Sequence, residues 1–215
     1  MRRLHEPAGR PRRLLQEAPI WSAIYKRSFL ESNDIRFLET PGASYQDAGF
    51  NFKVWASAER AVLLDAPVLH YRQDNEQSSV NSPGKVFCVC DEYDEMLRWL
   101  GERPEKLKAL APVVARMRFD TYMWNYERLT EPLQRQFIVQ AARDFLAEDV
   151  SGACDYDYFD WWKSPQRKEV IADPLLFHAS HTAKDEPGKV ATVKRYWRLG
   201  GAPYVASMLK RKLKR

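Results

Sequence analysis

The sequence predicts an α/β segment followed by a mainly helical extension, on the basis of three observations. Two short β-prone runs, residues 61–64 and 68–71, are separated by a turn that ends in Pro67. On both sides of this pair, apolar residues recur at the three- and four-residue spacing of an amphipathic helix. With 215 residues and 45% hydrophobic content, the chain is long enough to bury a core.

Caps and prolines mark where the predicted elements begin and end. Ser82 and Pro83 together are typical of a helix start, and Gly101 is typical of a helix end. Asn33 is a candidate for a left-handed residue that stops the first helix. In chain order we expect a helix over 19–32, an extended segment over 35–38, a helix that begins near Asp47, the two strands, and helices that begin at Ser82, Pro104 and Thr130.

The net charge of +5 is distributed unevenly along the chain. Residues 1–13 carry +4 and residues 189–215 carry +9, which leaves −8 for residues 14–188. A groove that follows nucleic-acid phosphates needs cations clustered on the folded surface, with aromatic rings between them. Because the cations lie mainly at the two chain ends, the sequence argues against nucleic acid as a partner.

Composition also bears on location and covalent chemistry. The three cysteines, Cys88, Cys90 and Cys154, have the spacing of neither a zinc site nor a disulfide framework. No apolar run approaches the roughly 18 to 20 residues that cross a bilayer. The Arg-rich start has no apolar segment behind it that would make a signal peptide. We therefore expect a cytoplasmic protein.

Asp47 is the candidate functional residue with the clearest local signal. Residues 40–44 are turn and loop formers, whereas Phe50 and Val54 recur at helical spacing. Asp47 is therefore expected at or near the N-cap of a helix. Its carboxylate either satisfies free N–H groups of the first helical turn or takes part in chemistry.

Three stretches of the chain together carry a family resemblance. They are residues 20–30 followed by 35–37, residues 45–47, and residues 70–73 with Ser78, Ser79 and Asn81. The first is similar to a helix that precedes an n-i-r-F strand, the second to a Glu-Asp motif, and the third to a Y-Y-Y-R…S-x-S segment. In this order and spacing they resemble the C-terminal part of bacterial family 2 glycosyltransferases, enzymes with the GT-A fold that build surface polysaccharides.

The resemblance implies roles for particular residues. Asp47 matches the Asp of the family's Glu-Asp motif, which is the catalytic base. An inverting transfer needs such a carboxylate to take the proton of the acceptor hydroxyl. His70 and Arg72 fall where the family's mobile segment closes over the donor, and their alternative is a plain surface role at the end of a strand. The resemblance implies an α/β remnant of a GT-A domain. Motif neighbours of these three residues are Gln46, Tyr71 and Ser78.

The family holds Mg²⁺ or Mn²⁺ with an Asp-x-Asp motif that precedes the base. Asp155 and Asp157 have these letters, but they follow the base and no apolar strand leads into them. We therefore reject this pair as the metal site. We expect no cofactor to be bound by this chain alone, and Mg²⁺ or Mn²⁺ to act with a nucleotide sugar in the complete enzyme.

The predicted organisation is a basic unstructured N-terminus over 1–18, the acceptor-side part of a GT-A domain over 19–85, and a helical extension over 86–215. The predicted function is that of a C-terminal fragment of an inverting glycosyltransferase, inactive alone, which transfers a sugar from a nucleotide sugar to a glycan or lipid-linked acceptor in surface polysaccharide synthesis. The alternative is a non-catalytic interaction or membrane-docking module of a polysaccharide-assembly system.

The basic tail has two interpretations: a solvated, frayed helix end, where cations are favoured, or weak attachment to an anionic membrane. The resemblance implies lipid-linked acceptors at the inner membrane face, and attachment there would use Lys210, Arg211, Lys212, Lys214 and Arg215. Each cation near such a surface contributes up to about 1 kcal/mol. Co-sedimentation with liposomes should require anionic lipid and should vanish by about 0.5 M salt, where screening is strong. Deletion of residues 210–215 should abolish it, and binding that survives both salt and deletion would place the attachment elsewhere.

Overall fold

A computed structural model describes residues 2–4, 20–39, 45–63, 69–70 and 85–182, together with residues 193, 197, 202 and 205–206. The chain divides into two compact units, unit 1 over residues 1–118 and unit 2 over residues 119–215. Each unit has buried aromatic and aliphatic side chains of its own.

Seven α-helices account for most of the described residues. They are α1 (Arg27–Ser32), α2 (Gln46–Ser57), α3 (Cys88–Gly101), α4 (Pro104–Arg128), α5 (Glu131–Ser151), α6 (Lys163–Ala172) and α7 (Pro174–Thr182). Short 3-10 helices cover Ile20–Ser22 and Tyr156–Tyr158. Two strands, β1 (Arg2–Leu4) and β2 (Ala61–Leu63), pair antiparallel with Arg3 opposite Val62. Among the described helices, none is long and apolar enough to cross a membrane.

The predicted α/β remnant of a GT-A domain is wrong, because helices dominate the described residues and the paired strands have three residues each. A β-prone run becomes part of a stable sheet only when several partner strands share a buried face. The run at 61–64 pairs over three residues with β1, and the described part of the second run, residues 69–70, is not a strand. Helix packing therefore replaces the expected sheet.

Local signals located the long helices well. Helices α4 and α5 begin at Pro104 and Glu131, directly where proline and threonine predicted a start, and α3 ends at Gly101 as expected. The start of α3 was predicted wrongly, because the helix begins at Cys88 and not at Ser82. The first predicted helix is shorter than expected, because it is divided into a 3-10 turn and α1. The left-handed residue after α1 is Asp34, with φ 51°, rather than Asn33.

In unit 1, helix α2 is buried on two sides. Phe50 and Val54 pack with Ile35, and Tyr25 and Leu30 lie against the same cluster. The opposite side of α2 faces α3, where the ring of Phe52 meets the edge of the Trp99 ring at a centroid distance of 6.4 Å. This double burial fixes the position of the α2 N-terminus.

In unit 2, aromatic rings from α4 and α5 form the centre of the core. Phe119 lies 5.6 Å from Phe145 and 5.8 Å from Phe159, measured between ring centroids, and Tyr122 lies 5.7 Å from Phe145. Phe137, Ala141 and Phe145 recur at the four-residue spacing that predicts an apolar helix face, and all three are buried. The buried apolar residues of α5 are Phe137, Ile138, Ala141, Ala142 and Phe145.

Arg167 of α6 is fully buried and joins three parts of unit 2. Its Nη2 donates to the Phe145 carbonyl at 2.7 Å and to Glu148 at 3.1 Å. Its Nη1 donates to Asp149 at 2.6 Å and to the Tyr156 hydroxyl at 2.8 Å. Burial raises the pKa of Tyr156 to about 12, so the phenol keeps its proton and donates to Asp149.

Arg167→Met should lower the free energy of unfolding of unit 2 by about 3–5 kcal/mol, because it leaves the buried carboxylate of Glu148 without its compensating charge. Urea unfolding followed by far-UV circular dichroism measures the loss. The matched control is Arg143→Met at an exposed position of α5, which should change stability by no more than about 0.5 kcal/mol. Equal stability of the two variants would show that the buried network does not stabilise the unit.

Candidate active site

Asp47 is the second residue of α2 and its side chain is exposed. One carboxylate oxygen accepts the backbone N–H of Ala48 at 3.1 Å. Asp47 is not the N-cap, which is Tyr45, and the Tyr45 side chain makes no capping hydrogen bond. The carboxylate therefore takes one N–H of the first helical turn and also faces solvent. The positive end of the helix dipole favours its negative charge.

Tyr45 introduces backbone strain directly before Asp47. Its φ is 64° and its ψ is 1°, in the left-handed region. An aromatic residue pays a steric cost there, on the order of 1–3 kcal/mol, and such residues cluster at functional sites. The strained residue sets the direction in which the chain enters α2, and thereby the position of Asp47.

Glu92 of α3 is the most unusual side chain of this region, because it is a carboxyl with 1% exposure. Its Oε2 packs against Gly49 of α2 so closely that a Cβ at that position would collide with it. Its Oε1 has no hydrogen-bond partner among the described residues. The absence of a side chain at Gly49 therefore gives the carboxyl its space.

The charge state of Glu92 follows from this environment. Burial raises the pKa of Glu92 to about 8. The Lys53 ammonium acts in the opposite direction, while the carboxylates of Asp47, Glu95 and Asp91 raise the pKa further. At neutral pH Glu92 is therefore mainly a neutral acid.

Lys53 and Glu95 form the charged part of the same α2–α3 contact. Lys53 Nζ lies 2.6 Å from Glu95 Oε1, and both side chains are largely buried. Burial alone would raise the pKa of Glu95, but hydrogen bonds from Arg98 and Lys53 outweigh it and lower the pKa. Glu92 and Glu95, one turn apart on α3, therefore differ in protonation.

The site thus combines an exposed carboxylate, a buried neutral acid and a buried ion pair. Carboxyl groups whose environments differ in this way are typical of acid–base chemistry. Of the three carboxyl groups of Asp47, Glu92 and Glu95, that of Asp47 is the exposed one. Glu92 and the Lys53–Glu95 pair lie behind it and hold α2 in place.

The other residues predicted for the site have different outcomes. Gln46 is the first residue of α2 and so adjoins Asp47. His70 is exposed in the short described stretch 69–70, and its donor-binding role stays a prediction. Tyr71, Arg72 and Ser78 lie outside the described residues.

The described residues do not fit a divalent cation, because they include no group of three or more metal-ligating side chains in suitable positions. Asp155 accepts the backbone N–H of Asp157 at 2.9 Å and caps the 3-10 helix that follows it. The Asp155 carboxylate therefore serves a turn.

Two other groups of reactive residue types have structural roles. Burial raises the pKa of Cys154 to about 12 and also raises the pKa of Cys88, so both thiols stay protonated and are poor nucleophiles. The Tyr126 hydroxyl is hydrogen-bonded to Nδ1 of His178 at 2.8 Å, and Nε2 of His178 lies 3.1 Å from Glu131. Because Tyr126 and His178 are buried, this chain of polar groups joins α4, α5 and α7 within the core.

The sequence predicted Asp47 but not Glu92, Lys53 or Glu95. The one sequence signal of this contact was Gly49, because a glycine inside an amphipathic helix can mark a place where another group packs closely. Its partner, however, lies on another helix, and local patterns do not pair helices.

Comparisons with known proteins do not identify a family or a function for this chain. No protein-family model matches the chain, and searches of curated proteins and of solved structures find no match.

Glu92→Gln should remove a pH-dependent cost of folding. Between the ordinary glutamate pKa of 4.5 and about 8, the unfolded chain releases a proton that folded Glu92 keeps, so stability falls as pH rises. The slope is up to about 1.4 kcal/mol per pH unit. Urea unfolding across this range should therefore show Glu92→Gln gaining stability relative to wild type, with a plateau above pH 8.

The control for this titration is Glu59→Gln, at an exposed position of unit 1. Its stability should follow wild type at every pH. A constant difference between Glu92→Gln and wild type across the range would mean that Glu92 is ionised in the folded protein.

Proposed function

We propose that this chain supplies the acceptor side and the general base of an inverting glycosyl transfer from a nucleotide sugar. The observation that carries the proposal is the exposed carboxylate of Asp47, set in the first turn of α2 beside the buried neutral acid Glu92. The resemblance to family 2 glycosyltransferases supports the same residue as the base.

In the proposed reaction Asp47 accepts the proton of the acceptor hydroxyl. As that proton leaves, the hydroxyl oxygen forms a bond to the anomeric carbon of the donor sugar. The bond from this carbon to the nucleoside diphosphate breaks on the opposite face, so the configuration inverts. The diphosphate leaves with the electron pair, and Asp47 later returns its proton to solvent.

The surroundings of Asp47 favour this role over its neighbours. Glu92 is buried and mainly protonated at neutral pH, and Glu95 is held in an ion pair by Lys53. Neither can take a proton from a bulky substrate. These environments support Asp47 as the base and give the two glutamates a supporting role.

This chain contributes the acceptor side of the reaction and, through His70 and Arg72, contacts to the donor. Binding of the nucleotide sugar, with Mg²⁺ or Mn²⁺, belongs to the complete enzyme. The acceptor is a glycan or a lipid-linked sugar in surface polysaccharide synthesis.

Asp47→Asn in the complete enzyme should lower turnover by about 10² to 10⁴-fold, because an amide keeps the size of the side chain but takes no proton. Release of nucleoside diphosphate from UDP- and GDP-sugars in the presence of acceptor glycans measures it. The melting temperature should stay within about 2 °C of wild type, since one exposed hydrogen bond contributes little.

Asp34→Asn is the matched control, because Asp34 is also exposed and asparagine tolerates its positive φ. This variant should keep wild-type turnover. If Asp47→Asn kept its turnover and lost thermal stability instead, the role of Asp47 would be confined to the helix terminus.

A further inference from the structure

Phe37 presents an aromatic face to solvent in the same part of unit 1 as Asp47. Its ring stacks on the ring of Phe50, with centroids 4.3 Å apart and planes inclined by 9°. Phe50 is buried, whereas Phe37 keeps 46% of its surface exposed. Because one face of the Phe37 ring covers Phe50, its exposed area is on the opposite face.

Helix α2 connects this aromatic surface with the carboxylate. Asp47 and Phe50 are three residues apart in α2, a spacing that puts two side chains on the same helical face with Cβ atoms about 5–6 Å apart. Phe37 lies against Phe50, and the side chains of both Phe37 and Asp47 are exposed. Phe37 and Asp47 are therefore each placed relative to Phe50, one by ring stacking and the other by one turn of α2.

The ring pair is supported from within unit 1. Tyr25 meets Phe50 edge to face, with centroids 5.2 Å apart and planes at 90°. The Tyr25 hydroxyl donates to the Ile20 carbonyl at 3.1 Å, and Ile35 is buried in the same cluster. A ring held in this way loses little conformational freedom when a ligand stacks on it.

A pyranose sugar has the matching chemistry. One face of its chair presents axial C–H groups, and stacking this face on an aromatic ring removes apolar area from water. The polarised C–H groups also meet the negative face of the ring. Hydroxyls at the rim of the sugar stay free to donate to a carboxylate, which only accepts hydrogen bonds.

We propose that Phe37 is the stacking platform for the acceptor sugar and holds a pyranose ring so that one of its hydroxyls reaches Asp47. This assignment rests on the proposed function, which requires an acceptor hydroxyl at Asp47. Phe37 binds substrate and takes no part in proton transfer. It therefore affects the concentration of acceptor that half-saturates the enzyme more than the turnover rate.

The test is a titration of the whole chain, labelled with ¹³C at phenylalanine rings, with methyl β-D-glucopyranoside and methyl β-D-galactopyranoside. The Phe37 ring signal should shift saturably with one of the two, with a dissociation constant of about 1–20 mM, as expected for a single sugar ring on an open surface. The axial protons of that sugar should shift upfield because they lie over the ring.

Two variants separate binding from packing. Phe37→Tyr keeps the aromatic face and should bind the same glycoside within about twofold, whereas Phe37→Leu still covers Phe50 but should weaken binding by about fivefold or more. Cyclohexanol serves as an apolar ring probe of similar size. It should bind more weakly than the glycoside, since it carries one hydroxyl where the glycoside has several at its rim.

Three results would overturn this assignment: no saturable shift with either glycoside, equal glycoside binding by Phe37→Leu and wild type, or tighter binding of cyclohexanol. Tighter binding of cyclohexanol would show that Phe37 binds apolar molecules in general and does not recognise a sugar. If the glycosides do not bind while Asp47→Asn still abolishes turnover, the platform fails and the proposed function stands. If the glycoside binds through Phe37 but the Asp47→Asn variant keeps full turnover, the proposed function fails and Phe37 remains a sugar-binding residue.

Discussion

The close packing of Glu92 on the backbone of Gly49 is the contact on which the candidate site depends. It lets α3 approach α2 near the turn that carries Asp47, and it is followed along the two helices by the Lys53–Glu95 ion pair and the Phe52–Trp99 contact. Glycine in a helix costs about 1 kcal/mol relative to alanine. Here the missing side chain of Gly49 leaves space for the Glu92 carboxyl, which a Cβ would occupy. Because the carboxyl is buried, its pKa is raised and it keeps its proton at neutral pH.

The two units bury carboxyl groups in opposite ways. In unit 2, Arg167 supplies hydrogen bonds to Glu148 and Asp149, so their charges are compensated within a network that joins α5, α6 and the 3-10 helix. In unit 1, Glu92 has an oxygen without a described partner and stays mainly neutral at pH 7. The difference between the two carboxyls lies in charge: a buried arginine compensates Glu148, whereas Glu92 keeps its proton.

Sequence patterns predicted the starts of α4 and α5 and the end of α3 because these signals are local: a proline or threonine at a start, a glycine at an end, and apolar residues at helical spacing. The predicted strands were wrong because a β-prone run such as residues 61–64 needs partner strands from distant parts of the chain, which local patterns do not show. Asp47 was predictable because both its local position before an apolar stripe and its motif neighbours indicate it. Glu92 was not, because nothing in its own helix distinguishes it from an exposed glutamate.

By itself, the sequence determined the helical periods, the helix ends, the concentration of cations at the chain ends and the candidacy of Asp47. Each of these depends on residues within a few positions of one another. Only the tertiary structure decided which carboxyl is buried and protonated, which glutamate pairs with Lys53, and that an exposed Phe37 ring lies on Phe50, one turn from Asp47. These properties arise from the approach of separate segments, because desolvation and stacking depend on neighbours in space rather than on neighbours in sequence.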